Sequence, residues 1–342
     1  MPEKISYAEY LDILLDPEST DEKILAVAKV RARHHGLDFA IIPDPKKVDI
    51  QPEQAELESA LGIGNNLERW RRWVRFRNRF NSGEKLPVLV EEGDSWHQFP
   101  LLVKDVVDHL GKDYLIYSVA AAGDTAENMV YGPAGKGGNE YLAALWQYKD
   151  NVKGFLFSAA GNDIIGEDPA TGKAALHDIL KPFNSNAKDV PGHINMAVLG
   201  EKLAFLERAY RDVITNIRQY TEFKTLPVFI HGYDHAYPEL KQKKDPRKPK
   251  HAKRDEWLGE PLDARGIVDD ALRRNIIKFL VDALYDMLER VAGDPKKTGV
   301  WLVDCRGAMP DVADWIDEIH GTDEGFGKVA ARFRKVLKKA GV

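Results

Sequence analysis

The sequence predicts an α/β fold: a three-layer α/β/α sandwich on a five-stranded parallel sheet, preceded by an N-terminal helical extension. Two observations predict the sandwich. From Leu86 onward, the runs 88–90, 114–119, 154–158, 228–231 and 300–304 are short and nearly continuous in apolar residues. Each is followed by turn residues, as parallel strands covered on both faces require. Between them lie amphipathic stretches, including 199–220 and the strongly periodic 267–291. Such alternation of strands and helices is the pattern of a doubly wound sheet. At 342 residues and 44% hydrophobic content, the chain can build one large domain or two modest ones.

The extension, residues 1–85, is read as helices. Ser6-x-x-Glu9 forms a capping box ahead of Tyr7, Tyr10, Leu11, Leu14 and Leu15, which share one face, and Pro17 ends that helix. Ser19-x-x-Glu22 repeats the device, with Gly36 as the stop. Residues 52–80 read as a third and fourth helix interrupted around Gly62 and Gly64. In the fourth, the run 69–80 interleaves arginines with aromatics, a pattern that could meet phosphates and stack on bases. The favoured reading is docking: Leu67, Trp70, Trp73, Val74 and Phe80 line one side while the arginines face solvent. The second unit is then residues 86–342.

Composition narrows the function classes. A net charge of -5 gives no global attraction to nucleic acid or an anionic membrane. With Cys305 as the single cysteine, neither an intrachain disulfide nor a cysteine-based zinc site can be argued. No apolar run approaches the ~18 residues of a membrane span, and Met1-Pro2-Glu3-Lys4 does not open a signal peptide, so the expected location is cytoplasmic.

In doubly wound sheets ligands bind beyond the carboxyl ends of the strands, so the residues following each strand carry the chemistry. Gly93-Asp94-Ser95 follows the first. A serine hydroxyl needs a base within hydrogen-bond reach to act as a nucleophile, and helix capping is its equally available role. His97 stands where the Gly-x-Ser-x-Gly elbow needs its second glycine, so that motif is absent. Gly123-Asp124-Thr125 follows the second strand, where a glycine lets the backbone approach a ligand. Gly161-Asn162-Asp163 follows the third; the Asn162 amide could donate to an oxyanion, or begin an Asx-turn. Near the C-terminus stands Asp317-Glu-Ile-His320.

These four blocks, in this order, resemble those of the SGNH (GDSL-type) hydrolases, over about residues 86–342. The third block is shortened from Gly-x-Asn-Asp, and Gly321 stands where many members carry proline. The resemblance implies a flavodoxin-like sheet and an ester-hydrolysing triad of Ser95, His320 and Asp317, with Asp314 as a surface residue and first alternative to Asp317. It also implies an oxyanion hole from the Ser95 and Gly123 N–H groups and the Asn162 side chain. No metal or organic cofactor is implied. Trp96 and His97 are expected to set how Ser95 is presented and to line the substrate pocket. Tyr233 and Asp234, after the fourth strand, are expected to shape the same acyl or alcohol pocket.

Other motifs carry less. Gly132 to Gly138 lacks the spacing and the Ser/Thr of a phosphate loop, and His231 and His235 lack a third zinc ligand. The lysine- and arginine-rich run 241–254 is read as a solvated loop that could attract an anionic substrate, and 166–192 as a lid-like insertion. The expected partner is a small-molecule or lipid-like ester, with no nucleic acid. Acyl transfer at the same site, or a non-catalytic binding module with basic patches, are the alternatives.

Overall fold

The computed structural model describes residues 4–32, 39–50, 63–99, 101, 103–133, 138–166, 173–249 and 251–342. Gly36, the proposed third helix from Pro52 and the centre of the Gly132–Gly138 loop lie outside these residues.

The extension is mixed rather than wholly helical. Ser6 caps the helix Tyr7–Leu15 through the expected capping box with Glu9. The next helix is short, Asp21–Leu25, and Thr20 rather than Ser19 caps it. The chain then turns into strand β2 (Ala28–Ala32), antiparallel to β3 (Phe39–Pro43), while β1 (Ile5–Ser6) pairs with β4 (Val48–Asp49). The five residues of β2, Ala-Lys-Val-Arg-Ala, alternate apolar and basic side chains at the period of a strand, and pairing with the Phe39–Pro43 segment completes it.

The helix Ile63–Asn81 docks against β6 (Leu115–Ser118), with a buried side that differs from the predicted one. Leu67 and Phe76 are buried, and Phe76 meets Tyr117 and Tyr148 edge-on. Trp70 instead remains 38% exposed, while Arg71 and Arg72 are buried. Carboxylates draw those arginines inward. Arg72 reaches Glu68, Asp105 and Asp108, and Arg71 reaches Glu68 and Asp21. Burying a guanidinium is tolerable only with such partners.

The main sheet adds β5 (Val88–Glu92), β7 (Val152–Phe157), β8 (Val228–His231) and β9 (Val300–Val303), in the spatial order β6-β5-β7-β8-β9 with every pair parallel. Every residue of β5 and β8 is buried, as predicted for strands covered on both faces. The long helices Met196–Arg218, Asp270–Ala292 and Asp323–Ala340 supply much of the cover, completing a three-layer sandwich. The order is that of a flavodoxin-like sheet, whose switch point lies between its first and third strands. Here that point falls between β5 and β7, so the loops carrying Ser95 and Asn162 diverge from adjacent strands.

Candidate active site

Ser95 sits in a tight turn directly after β5. Asp94 builds that turn: its carbonyl accepts from the His97 and Gln98 N–H groups, and its side chain accepts from Trp96 N at 3.1 Å. The Tyr233 hydroxyl donates to the Asp94 carboxylate and accepts from Gly161 N at 2.8 Å, coupling the turn to the loop after β7. Gly93 has no room for a side chain, since a Cβ would lie 2.5 Å from the His97 ring.

His320 arrives from the far end of the chain. Its Nε2 lies 2.8 Å from Ser95 Oγ and its Nδ1 2.7 Å from Asp317 Oδ2. Asp317 Oδ1 accepts from the Ile319 and His320 backbone N–H groups at 2.8 and 2.7 Å, so the Asp-x-x-His spacing folds the carboxylate back onto its own loop. All three side chains are nearly inaccessible to solvent. Burial pushes the Asp317 pKa up. The His320 charge and the His251 and His320 hydrogen bonds outweigh that, holding the carboxyl well below the usual carboxylate range. An ionised carboxylate only accepts, so His320 carries its proton on Nδ1 and offers the Nε2 lone pair to the Ser95 hydroxyl. That is the tautomer a general base needs.

Gly123, on the loop after β6, has φ +86°, a left-handed conformation that glycine adopts without strain. Asn162 Nδ2 donates to the Asp124 carbonyl at 2.7 Å, and Asp163 accepts from Ala126 N at 3.0 Å. The third block thus holds the second by long-range contacts, which a local Asx-turn would not make. Ala160, just before it, has φ +104°, and Trp257, edge-on to the His320 ring, has φ +76°. Non-glycine residues in such conformations cost about 1–3 kcal/mol each and persist where surrounding structure enforces them.

Beside Ser95 opens a cavity of about 90 Å³. Ser95 and Asn162 line part of it; its other walls include Ile164, Leu176, Ile277, Leu280 and Leu284. Leu176 comes from the 166–192 insertion and the last three from the helix Asp270–Ala292. No hydrogen-bonding side chain stands among those wall residues, so the cavity suits an apolar group.

The remaining sequence expectations divide. Trp96 lines the cavity, and its indole N–H donates to the Ile319 carbonyl at 2.9 Å, tying the serine turn to the histidine loop. Tyr233 and Asp234 also line it, but their polar atoms are engaged within the protein. The Asp234 carboxylate accepts from the backbone N–H groups of His235, Gly307 and Met309.

His97 does not line the cavity. Its ring turns into the interior, with Nδ1 2.9 Å from Glu91 Oε2 and Nε2 2.9 Å from His231 Nε2. His231 donates through Nδ1 to the Gly232 carbonyl, so its Nε2 accepts from His97. His235 instead meets Asp282 at 3.0 Å, leaving the two histidines on separate partners. Asp314 is buried rather than at the surface and pairs with Lys328 at 2.6 Å.

The largest correction concerns the run 241–254. Asp245, Arg247 and His251 within it are buried, because they pack onto the histidine loop. Arg247 donates to the Asp317 carbonyl at 2.8 Å, and His251 Nε2 lies 2.8 Å from Asp317 Oδ2. Glu318 accepts from the backbone of Leu258 at 2.8 Å and Gly259 at 3.1 Å, and burial pushes its pKa up to about 8. A histidine amid lysines and arginines gives no sequence signal for this role; only the paired Asp317 reveals it. His251, Asp317 and His320 offer ligand atoms within 4.8 Å of one another. As arranged, the two imidazoles direct N–H groups at one carboxylate oxygen, whereas metal ligands would direct lone pairs at an ion.

The fold and site together define an α/β sandwich with a serine, histidine and aspartate in hydrogen-bonded series at the sheet's switch point. No family model matches the chain, and no curated protein matches it. Among solved structures, one described as a platelet activating factor from Streptococcus pneumonia is 12% identical, with 79% of this chain and 92% of that one covered and a TM-score of 0.41. A GDSL-like lipase structure from Parabacteroides merdae is 8% identical, covering 74% and 95%, with a TM-score of 0.40. An acetylxylan esterase from Geobacillus stearothermophilus, in a catalytic mutant form, is 14% identical, covering 73% and 94%, with a TM-score of 0.37.

Proposed function

We propose that the protein is a serine ester hydrolase of the SGNH type. The observation that carries this reading is the unbroken series from Ser95 Oγ through the His320 ring to Asp317, with hydrogen bonds of 2.8 and 2.7 Å. Ser95 attacks the acyl carbonyl while His320 takes its proton, and Asp317 steadies the imidazolium. The Ser95 and Gly123 N–H groups and the Asn162 amide hold the developing oxyanion. His320 returns the proton to the leaving alcohol, then activates the water that releases the acid.

The apolar cavity favours an aliphatic acyl group on the ester. In this reading residues 86–342 form the catalytic unit and 1–85 brace it. Arg72, from the extension, donates to the His97 carbonyl at 2.5 Å, two residues beyond the nucleophile.

The test uses p-nitrophenyl esters of increasing acyl length and a fluorophosphonate probe. Wild type should turn over the esters and be labelled at Ser95; Ser95→Ala should lose turnover with wild-type melting, and His320→Ala should lose turnover while still folded, with lowered melting. Undiminished turnover in either variant would overturn the assignment.

A further inference from the structure

The triad accounts for one imidazole on Asp317, yet two are present. Beside His320 Nδ1 at 2.7 Å, His251 Nε2 stands 2.8 Å from the same oxygen, Oδ2. The Phe99 ring lies against both, with centroids 4.3 Å from His320 and 5.5 Å from His251. His251 is 4% exposed and does not line the cavity, so it is placed to act on Asp317 rather than on a bound acyl group.

The segment that supplies it is fastened on both sides. Arg247 donates to the carbonyls of Asp317 at 2.8 Å, Tyr237 at 2.6 Å and Pro238 at 3.0 Å, and it pairs with Asp245 at 2.6 Å. Beyond His251, the Glu318 carboxyl holds the backbone of Leu258 and Gly259. The imidazole is therefore presented from a pinned strap.

We propose that His251 is a positioning residue of the Ser95–His320–Asp317 relay, supplied by the lysine- and arginine-rich strap, and that it governs turnover without touching substrate. This rests on the esterase reading. Two backbone N–H groups fix Asp317 Oδ1. His251 is the donor that fixes Oδ2 independently of His320. It keeps the carboxylate plane aligned when the His320 ring gains the Ser95 proton. It also makes Asp317 a poorer base, so the Nδ1 proton stays on His320 and the ring remains an imidazolium able to give its Nε2 proton to the leaving group.

The experiment compares wild type with His251→Leu, His251→Gln and His251→Asn, measuring kcat, KM and melting on a p-nitrophenyl ester. A glutamine amide can reach the position of the ring Nε2–H; leucine has no donor, and asparagine stops short. Leucine should lower kcat about tenfold, equivalent to roughly 1.4 kcal/mol, at unchanged KM. Glutamine should stay within about threefold of wild type, because it restores the hydrogen bond.

A leucine variant with wild-type kcat overturns the proposal, as does a glutamine variant as slow as leucine with wild-type melting. If leucine prevents folding, the amides decide: asparagine slower than glutamine supports the proposal, and equal rates overturn it. Wild type that neither hydrolyses esters nor takes the fluorophosphonate at Ser95 would remove the esterase reading itself, an outcome distinct from active wild type with an indifferent His251.

Discussion

Asp317→Asn tests the hydrogen-bond series with the least change in shape. In the native protein, Asp317 Oδ1 accepts two backbone N–H groups, and Oδ2 accepts the His320 and His251 rings. All four neighbours are donors, which an ionised carboxylate satisfies. An asparagine has one oxygen and one NH2. With its oxygen on the two backbone donors, the NH2 faces His320 Nδ1, which must then give up its proton and accept. The proton moves to Nε2, and the ring presents N–H rather than a lone pair to Ser95 Oγ. The reverse orientation aims the NH2 at two backbone N–H groups that cannot rearrange, so it is the poorer choice. Loss of the working tautomer costs about 10⁴ in kcat, roughly 5.4 kcal/mol of barrier. Steady-state hydrolysis of a p-nitrophenyl ester beside a melting curve measures it. A folded variant within tenfold of wild type would show that Asp317 does not set the tautomer of His320.

Two further outcomes follow from the cavity and the loop beside it. Leu284→Trp should fill the acyl cavity, so that kcat/KM falls for longer acyl esters but not for acetyl; each lost methylene contact is worth about 0.8 kcal/mol. A uniform loss across chain lengths would place the acyl group elsewhere. Glu318 has a folded pKa of about 8, above its ordinary 4.5. Between those values the folded state binds a proton that the unfolded state has lost, so its contribution to stability is full below about 4.5 and is lost as pH rises towards about 8. Glu318→Gln should flatten the decline in melting temperature over that window; its oxygen keeps the Leu258 and Gly259 N–H groups, while its NH2 faces the Glu239 N–H and lowers melting at every pH. A decline as steep as wild type would exclude Glu318 as its source.

Much of the fold was legible because its signals are local. Five nearly continuous apolar runs, each ended by turn residues, coincide with the sheet to within one or two residues at each end, since a strand buried on both faces is mostly apolar. The extension misled where two signals overlap: Ile24, Leu25, Val27 and Ala28 sit at helical spacing, yet Ala28-Lys-Val-Arg-Ala32 alternates as a strand does, and its partner strand settles it. Arginine in an amphipathic helix reads as solvent-facing, yet Arg72 is buried because Asp105 and Asp108, more than thirty residues away, offer it carboxylates.

By itself, the sequence determined which residues end strands: Ser95 after β5, Gly123 after β6 and Asn162 after β7, together with the Asp-x-x-His spacing that lets Asp317 hold His320. Only the tertiary structure decided which groups meet across hundreds of residues. It turned His97 away from the cavity into a buried contact with Glu91 and His231, and brought His251 onto Asp317 from a segment whose composition reads as solvated. The physical reason is that buried polar atoms need partners, and which partner each finds depends on where the folded chain brings complementary groups together.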